Sequence, residues 1–310
     1  MENWKAVMML YFLMTFAIAI FCMIYFNFVG EKAVYLLNSL IQLEMDLNTI
    51  LPTTLVCAGY VHRYFVYIGI LAILTEIGVP LTLSFMALVR PCMPPLASSM
   101  LNCNSWHADS DIGILCRIVV AILEAYTWKV NLGIIAEGMF VVLLYPGEVA
   151  LLLINTLETH LKTKGVLSVR GYRTIQLLIW LQNSVWRNGG MTICVGGIIQ
   201  AESVALYILL TSVKRLTIFV IILFIIIAFD IVIVIYIVFK IMSRPYIKSR
   251  KLLHFMRHGT RWRFNAWLKR FSKSCPPLKL CNGGGKFFDR MSTILIWQSS
   301  VDLLITWLYL

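Results

Sequence analysis

Five polar residues recur near the end of the chain: Ser292, Gln298, Ser299, Asp302 and Thr306. At about 100° per residue they fall within one arc of about 120°, on a helix otherwise made mainly of Ile, Leu, Trp and Met. Two chemistries suit such a stripe. Along a helix of about 30 Å it would line a water-filled path, and Asp302, repeated around an oligomer, would attract cations. Alternatively, the same side chains would hydrogen-bond to neighbouring helices and serve only to hold a bundle together.

Ionisable side chains inside apolar runs are costly and mark function by default. Glu76 and Asp230 are the candidates of this kind. Asp230 lies in an isoleucine-rich run and needs a partner, water or a proton. Glu137, Glu148 and Glu202 lie beside glycines or near the ends of their runs, where water access or snorkelling satisfies a carboxylate. His254 and His258 have metal-compatible spacing, but Lys251, Arg257 and Arg261 surround them, so no metal site is expected. Cys92 and Cys103 lie in a connection whose placement outside the cell would permit a disulfide. The sequence has no Ser-His-Asp pattern, glycine-rich phosphate loop or paired-carboxylate motif. Neither an enzyme nor a bound cofactor is expected.

The scaffold for these residues follows from composition. The 310 residues are 60% hydrophobic and 14% charged, with a mean hydropathy of +0.82. A soluble domain carries about 25% charged residues, so lipid must be the main solvent here. The reading is an all-α, polytopic helical membrane protein with six or seven transmembrane helices, forming a single membrane domain over 1–310. Apolar runs place spans at 7–29, 66–89, 191–213, 216–242 and 291–310. The region 112–157 reads either as one span, 131–157, behind an amphipathic extension, or as two spans with an extra one at 112–129. Further helices are expected at 34–47 and 172–187.

Charge orients the spans. On the six-span reading, connections 30–63, 158–190 and 243–290 share one side and hold 2, 5 and 13 Lys/Arg, or 20 of the chain's 27. The positive-inside rule makes that side cytoplasmic and the C-terminus extracellular under either span count. A G-protein-coupled receptor, with its cytoplasmic C-terminus, is thereby disfavoured. The 243–290 segment carries 13 basic residues and one acid, Asp289, a net charge equal to the +12 of the whole chain. Anionic lipid of the bilayer is the ordinary partner for such a segment. Arg261, Trp262, Arg263, Trp267, Arg270 and Phe271 interleave cations with aromatics and would equally suit a contact between subunits. Nucleic acid is not an expected partner.

A basic segment ending in Gly285-Lys286-Phe287-Phe288-Asp289, followed by a short polar-striped last helix and an external C-terminus, resembles the arthropod gustatory and odorant receptor superfamily. Gln298 matches the glutamine of the gustatory signature in the last helix. The resemblance implies seven helices, inverted relative to G-protein-coupled receptors. It also implies tetrameric ligand-gated cation channels of the plasma membrane, with the last helix lining the pore and cytoplasmic segments anchoring the subunits. On six spans the first would correspond to the family's second, the N-terminal helix being absent. The expected function is a chemosensory receptor subunit whose small-molecule ligand enters from outside, past Pro91, Pro94 and Pro95. The alternative is a membrane transporter or a non-conducting membrane scaffold. Glu76 and Asp230 would suit a proton-coupled carrier, although no inverted repeat is evident.

Overall fold

A computed structural model describes residues 3–50, 55–90, 96, 113–164, 169–187, 189–213, 216, 218–258, 266–283 and 286–309. Long helices dominate: α1 Asn3–Ile50, α2 Leu55–Val89, α3 Ile114–Glu137, α4 Tyr145–Lys164, α5 Val169–Trp186, α6 Gly190–Ser212, α7 Ile218–His258, α8 Ala266–Ser274 and α9 Ser292–Tyr309. Two short strands, β1 Cys281–Gly283 and β2 Lys286–Phe287, pair antiparallel just before α9. The expected all-α class is what forms.

Several helices run past the spans read from hydropathy. The expected helices at 7–29 and 34–47 fuse into the 48-residue α1, about 72 Å long. The cost of Gly30 inside a helix is about 1 kcal/mol. It is offset by one continuous buried face, Val29, Ala33, Leu36 and Leu40, at helical spacing on both sides of the glycine. The 216–242 run likewise continues to His258 in α7 through Pro245, which removes only one intrahelical hydrogen bond. Residues 114–164 form one helical path with no turn at Lys129, where two separate spans would need one.

That path widens between α3 and α4 into a π-helical segment, Gly138–Leu144. The cause is legible in its last turn: Pro146 has no N–H to offer the Val142 carbonyl. Helix α5 supplies the missing donors. Trp186 Nε1 donates to the Val142 carbonyl at 3.3 Å, and Gln182 Nε2 to the Leu143 carbonyl at 3.0 Å.

The helices bury two separate apolar cores. One gathers Leu36 and Leu40 of α1, Ile68, the α4 and α5 helices, Met191, the second half of α7, Phe271, Leu280, Phe288 and Ile296. The other gathers Met8 and Phe12 of α1, Leu83, Trp128, Val204, Ile208, Phe224 and Leu304. Helices α1, α2, α6, α7 and α9 and the α3–α4 path each contribute to both cores, so each runs from one to the other. Asn3 and Tyr309 therefore lie at the same end of the bundle, and the basic segment lies at the opposite end. Five helices are long and apolar enough to cross a membrane, within 6–46, 65–89, 114–161, 190–212 and 218–257. The 18-residue α9 is not among them, since Gln298, Ser299 and Asp302 dilute its apolar character.

The basic end is held by polar contacts as well as by its core. Asn183 of α5 works as a clamp on the strand leading into β1: its amide donates to the Lys279 carbonyl at 2.8 Å and its oxygen accepts from the Cys281 N–H at 2.9 Å. Gly283 turns the hairpin with a φ of 94°, which a glycine adopts without strain. Tyr172, fully buried, donates to the Pro276 carbonyl at 2.8 Å. Burial holds its phenol above the ordinary tyrosine range, and burial also pushes the neighbouring Cys275 thiol up. Both groups stay neutral in the fold at pH values where the unfolded chain ionises them. Their contribution is intact below about pH 8.5, where the unfolded thiol begins to titrate, and is lost progressively above it, the phenol following above about pH 10. Stability in detergent should therefore fall as the solution is made alkaline, and Tyr172→Phe combined with Cys275→Ala should flatten that fall. An identical slope in wild type and variant would show that these groups are not responsible.

Candidate functional site

Helix α9 begins in a tight cap. Asp289 Oδ1 accepts from the Met291 N–H, the Ser292 N–H and the Ser292 hydroxyl, each at 2.9 Å, while Ser292 Oγ accepts from the Asp289 N–H at 2.8 Å. This reciprocal pairing satisfies donors that a helix start otherwise leaves open. Ser292 is buried in that turn, so it acts at the helix start and does not share an open face with the other four stripe residues.

The rest of α9 divides by burial. Ile296, Ser300 and Leu304, at four-residue spacing, continue the buried line from Ser292 towards α6 and α7. Ser203 of α6 ties the two helices together: its hydroxyl lies 2.8 Å from the Ser300 carbonyl and 2.7 Å from the Ile199 carbonyl. On the other side, Gln298, Ser299, Asp302 and Thr306 are all exposed. The Ser299 and Thr306 hydroxyls fold back onto the Leu295 and Asp302 carbonyls at 2.9 Å, satisfying themselves locally. The Gln298 and Asp302 side chains have no hydrogen-bond partner among the described residues. A carboxylate turned to hydrocarbon costs about 3 kcal/mol near a helix centre, so this face calls for water or a second polar surface. The helix-glue alternative, within one copy of the chain, has no acceptor or donor to offer Asp302 among the described residues.

A second feature lies between the two cores. A cavity of about 280 Å³ opens among α1, α2, α3, α6 and α7. Aromatic rings form much of its wall: Tyr11, Phe12, Phe26, Trp128, Phe140 and Trp186. Glu76 and Asp230, distant in sequence, both line it, and no basic side chain does among the described residues. Asp230 finds its partner in Thr75, whose Oγ1 sits 2.6 Å from Asp230 Oδ2 and 3.0 Å from the Leu71 carbonyl. Cys22 and Cys194 lie beside each other on the same wall. Sequence reading did not find Thr75, the cysteine pair or the aromatic wall. Each depends on contacts between distant helices that leave no local pattern.

The other acids behave differently from one another. Glu137 is exposed, whereas Glu148 is buried near Arg244 and Lys248. Glu202, read as water-accessible from its neighbouring residues, is instead fully buried, and neither of its carboxyl oxygens has a hydrogen-bond partner among the described residues. The difference arises because its side of α6 packs into the second core beside Ser203 and Val204.

Of the residues expected to contact lipid or another subunit, Arg270 is exposed. Phe271 is not available for such contact: it is buried in the chain's own core, with the Arg173 guanidinium 5.5 Å from its ring centre. Amphipathic α8 turns its apolar side inward, so the aromatic found its burial within the fold. Arg261, Trp262 and Arg263, the side chain of Trp267, Cys92, Cys103 and the Pro91–Pro95 region lie outside the described residues. Among the described residues, no three His, Cys, Asp or Glu side chains gather where a metal ion could be held.

Comparison with family models, curated proteins and solved structures gives no match to this chain. The site must therefore be judged on its own chemistry. One face of α9 is polar, open and incompletely bonded, and an aromatic, acid-lined cavity lies between the cores.

Proposed function

We propose that the chain is a subunit of an oligomeric ligand-gated cation channel of the plasma membrane, acting as a chemosensory receptor for small organic ligands. The observation that carries this reading is the outward polar face of α9. Gln298 and Asp302 cannot rest against lipid tails without a partner, and water in a shared pore supplies one. A ring of Asp302 carboxylates from several copies would favour cations over anions. In this reading α9 is the sixth membrane pass, both described ends of the chain face outside, and the basic end faces the cytoplasm, as the Lys/Arg distribution requires. Exposed Arg270, Lys273 and Lys279 then lie where they can meet anionic inner-leaflet lipid. The cavity supplies a place for the ligand, and its walls belong to the helices that hold α9. The resemblance of 243–310 to the gustatory and odorant receptor superfamily points the same way and suggests a tetramer.

The test is ligand-evoked cation current from the expressed chain. Asp302→Asn and Ser299→Leu should alter conductance or ion preference, while their surface expression stays at wild-type level. Unchanged currents in both variants would sink the pore assignment. The Thr75–Asp230 pair favours one competing reading, a proton-coupled carrier. Substrate-dependent proton uptake without current would support that reading instead.

A further inference from the structure

The polar groups of the cavity are short of protons. Thr75 has one hydroxyl proton and two acceptors within reach, the Leu71 carbonyl at 3.0 Å and Asp230 Oδ2 at 2.6 Å. Whichever acceptor it serves, the other is left without that donor. Glu76, at the next position of α2 and on the same cavity wall, has no hydrogen-bond partner among the described residues. Two carboxyl groups and an under-supplied hydroxyl therefore share an apolar enclosure that no Lys, Arg or His enters among the described residues. Glu76 and Asp230 are half-buried, and acceptors held against such apolar walls are costly until a donor reaches them. The surrounding rings present the negative faces that attract cations.

We infer that this cavity is a binding site for a small hydrophobic amine, its ammonium group donating to Asp230 within reach of the Glu76 charge, and its apolar body lying against Phe12, Trp128 and Phe140. This rests on the proposed ligand cavity but not on channel activity. Size limits the ligand. A cavity of about 150 Å³ holds a benzene ring, so 280 Å³ suits a molecule about twice as large. An ammonium supplies several N–H donors at one atom, which matches an excess of acceptors. A carboxylate ligand would add a third acid to a site that no cation lines among the described residues. A neutral alcohol supplies one donor and no charge.

The prediction separates three probes of one shape: phenylbutylamine, phenylbutanol and phenylbutanoate. They are titrated calorimetrically into the full chain in lipid nanodiscs, with empty nanodiscs as the control for partitioning. The amine should bind at least about tenfold more tightly than the alcohol, about 1.4 kcal/mol, and the carboxylate should not bind. Asp230→Asn, which keeps the side-chain shape, should reduce the preference for amine over alcohol to about twofold or less. Glu76→Gln should reduce it in part. Equal binding of amine and alcohol by wild type, or an undiminished preference in the Asp230→Asn chain, would overturn the inference. Selective binding without any evoked current would support the amine site while counting against the channel. Evoked current with no preference for the amine would do the reverse.

Discussion

Phe288→Ala should destabilise the folded chain by about 3–5 kcal/mol, the range for removing a buried phenylalanine from a packed core. The ring is fully buried and stacks on Phe239 of α7, with centroids 5.5 Å apart and planes inclined by 20°. Its backbone N–H donates to the Leu280 carbonyl at 2.9 Å. The residue thus pins two things at once: the hairpin to α7, and the residue next to it, Asp289, to the start of α9. Truncation opens a cavity and loosens the segment that sets where α9 begins. Thermal unfolding in detergent, followed by retention of folded protein on a sizing column, reads the effect. Phe288→Leu keeps much of the volume and should cost less than about half as much. The argument would fail if the alanine variant melted with wild type. A larger loss of ligand-evoked current than of folded protein would show that the α9 start is coupled to gating.

The sequence already displayed the elements whose signal is local. Unbroken apolar runs identified the bundle, and the 3.6-residue period around Tyr172 and Leu178 identified α5, whose inward residues are buried as the period requires. The Asp302 stripe was visible for the same reason, and four of its five members do face outward. Lengths were less legible. Gly30 and Pro245 are ordinary stop signals, yet α1 and α7 continue through both because the helix faces on either side are buried in one core. Local propensity of about 1–3 kcal/mol per residue is outweighed by such burial. Partnerships were not legible at all. Nothing near Asp230 names Thr75, and nothing near Pro146 names Trp186 as the donor that serves the carbonyl the proline abandons. Phe271 shows the converse error. An aromatic among arginines reads as a contact surface, whereas the fold turns it inward and lays Arg173 over it.

Asp302→Lys should reduce cation conductance by at least about an order of magnitude and move the reversal potential towards that of the anion. In the proposed oligomer the Asp302 side chains of all subunits face a common aqueous axis. A unit charge about 8 Å from a permeating ion, at an effective dielectric constant of 40–80, contributes about 0.5–1 kcal/mol. Reversing its sign changes the interaction by about twice that for every subunit, and 1.4 kcal/mol is a factor of ten. Asp302→Asn removes the attraction without adding repulsion, so its effect should be smaller and in the same direction. Screening gives a second signature. Raising the salt shortens the Debye length from about 10 Å at 0.1 M to about 3 Å at 1 M, so the difference between wild type and Asp302→Lys should shrink. A structural role for Asp302 predicts another pattern. If the carboxylate only hydrogen-bonds to a second copy of the chain, the lysine variant should lose oligomer on a sizing column, and the current per surviving channel should keep its ion preference at every salt concentration. Charge lining a pore changes selectivity with the assembly intact, because the carboxylate then acts on the ion in transit and holds nothing together.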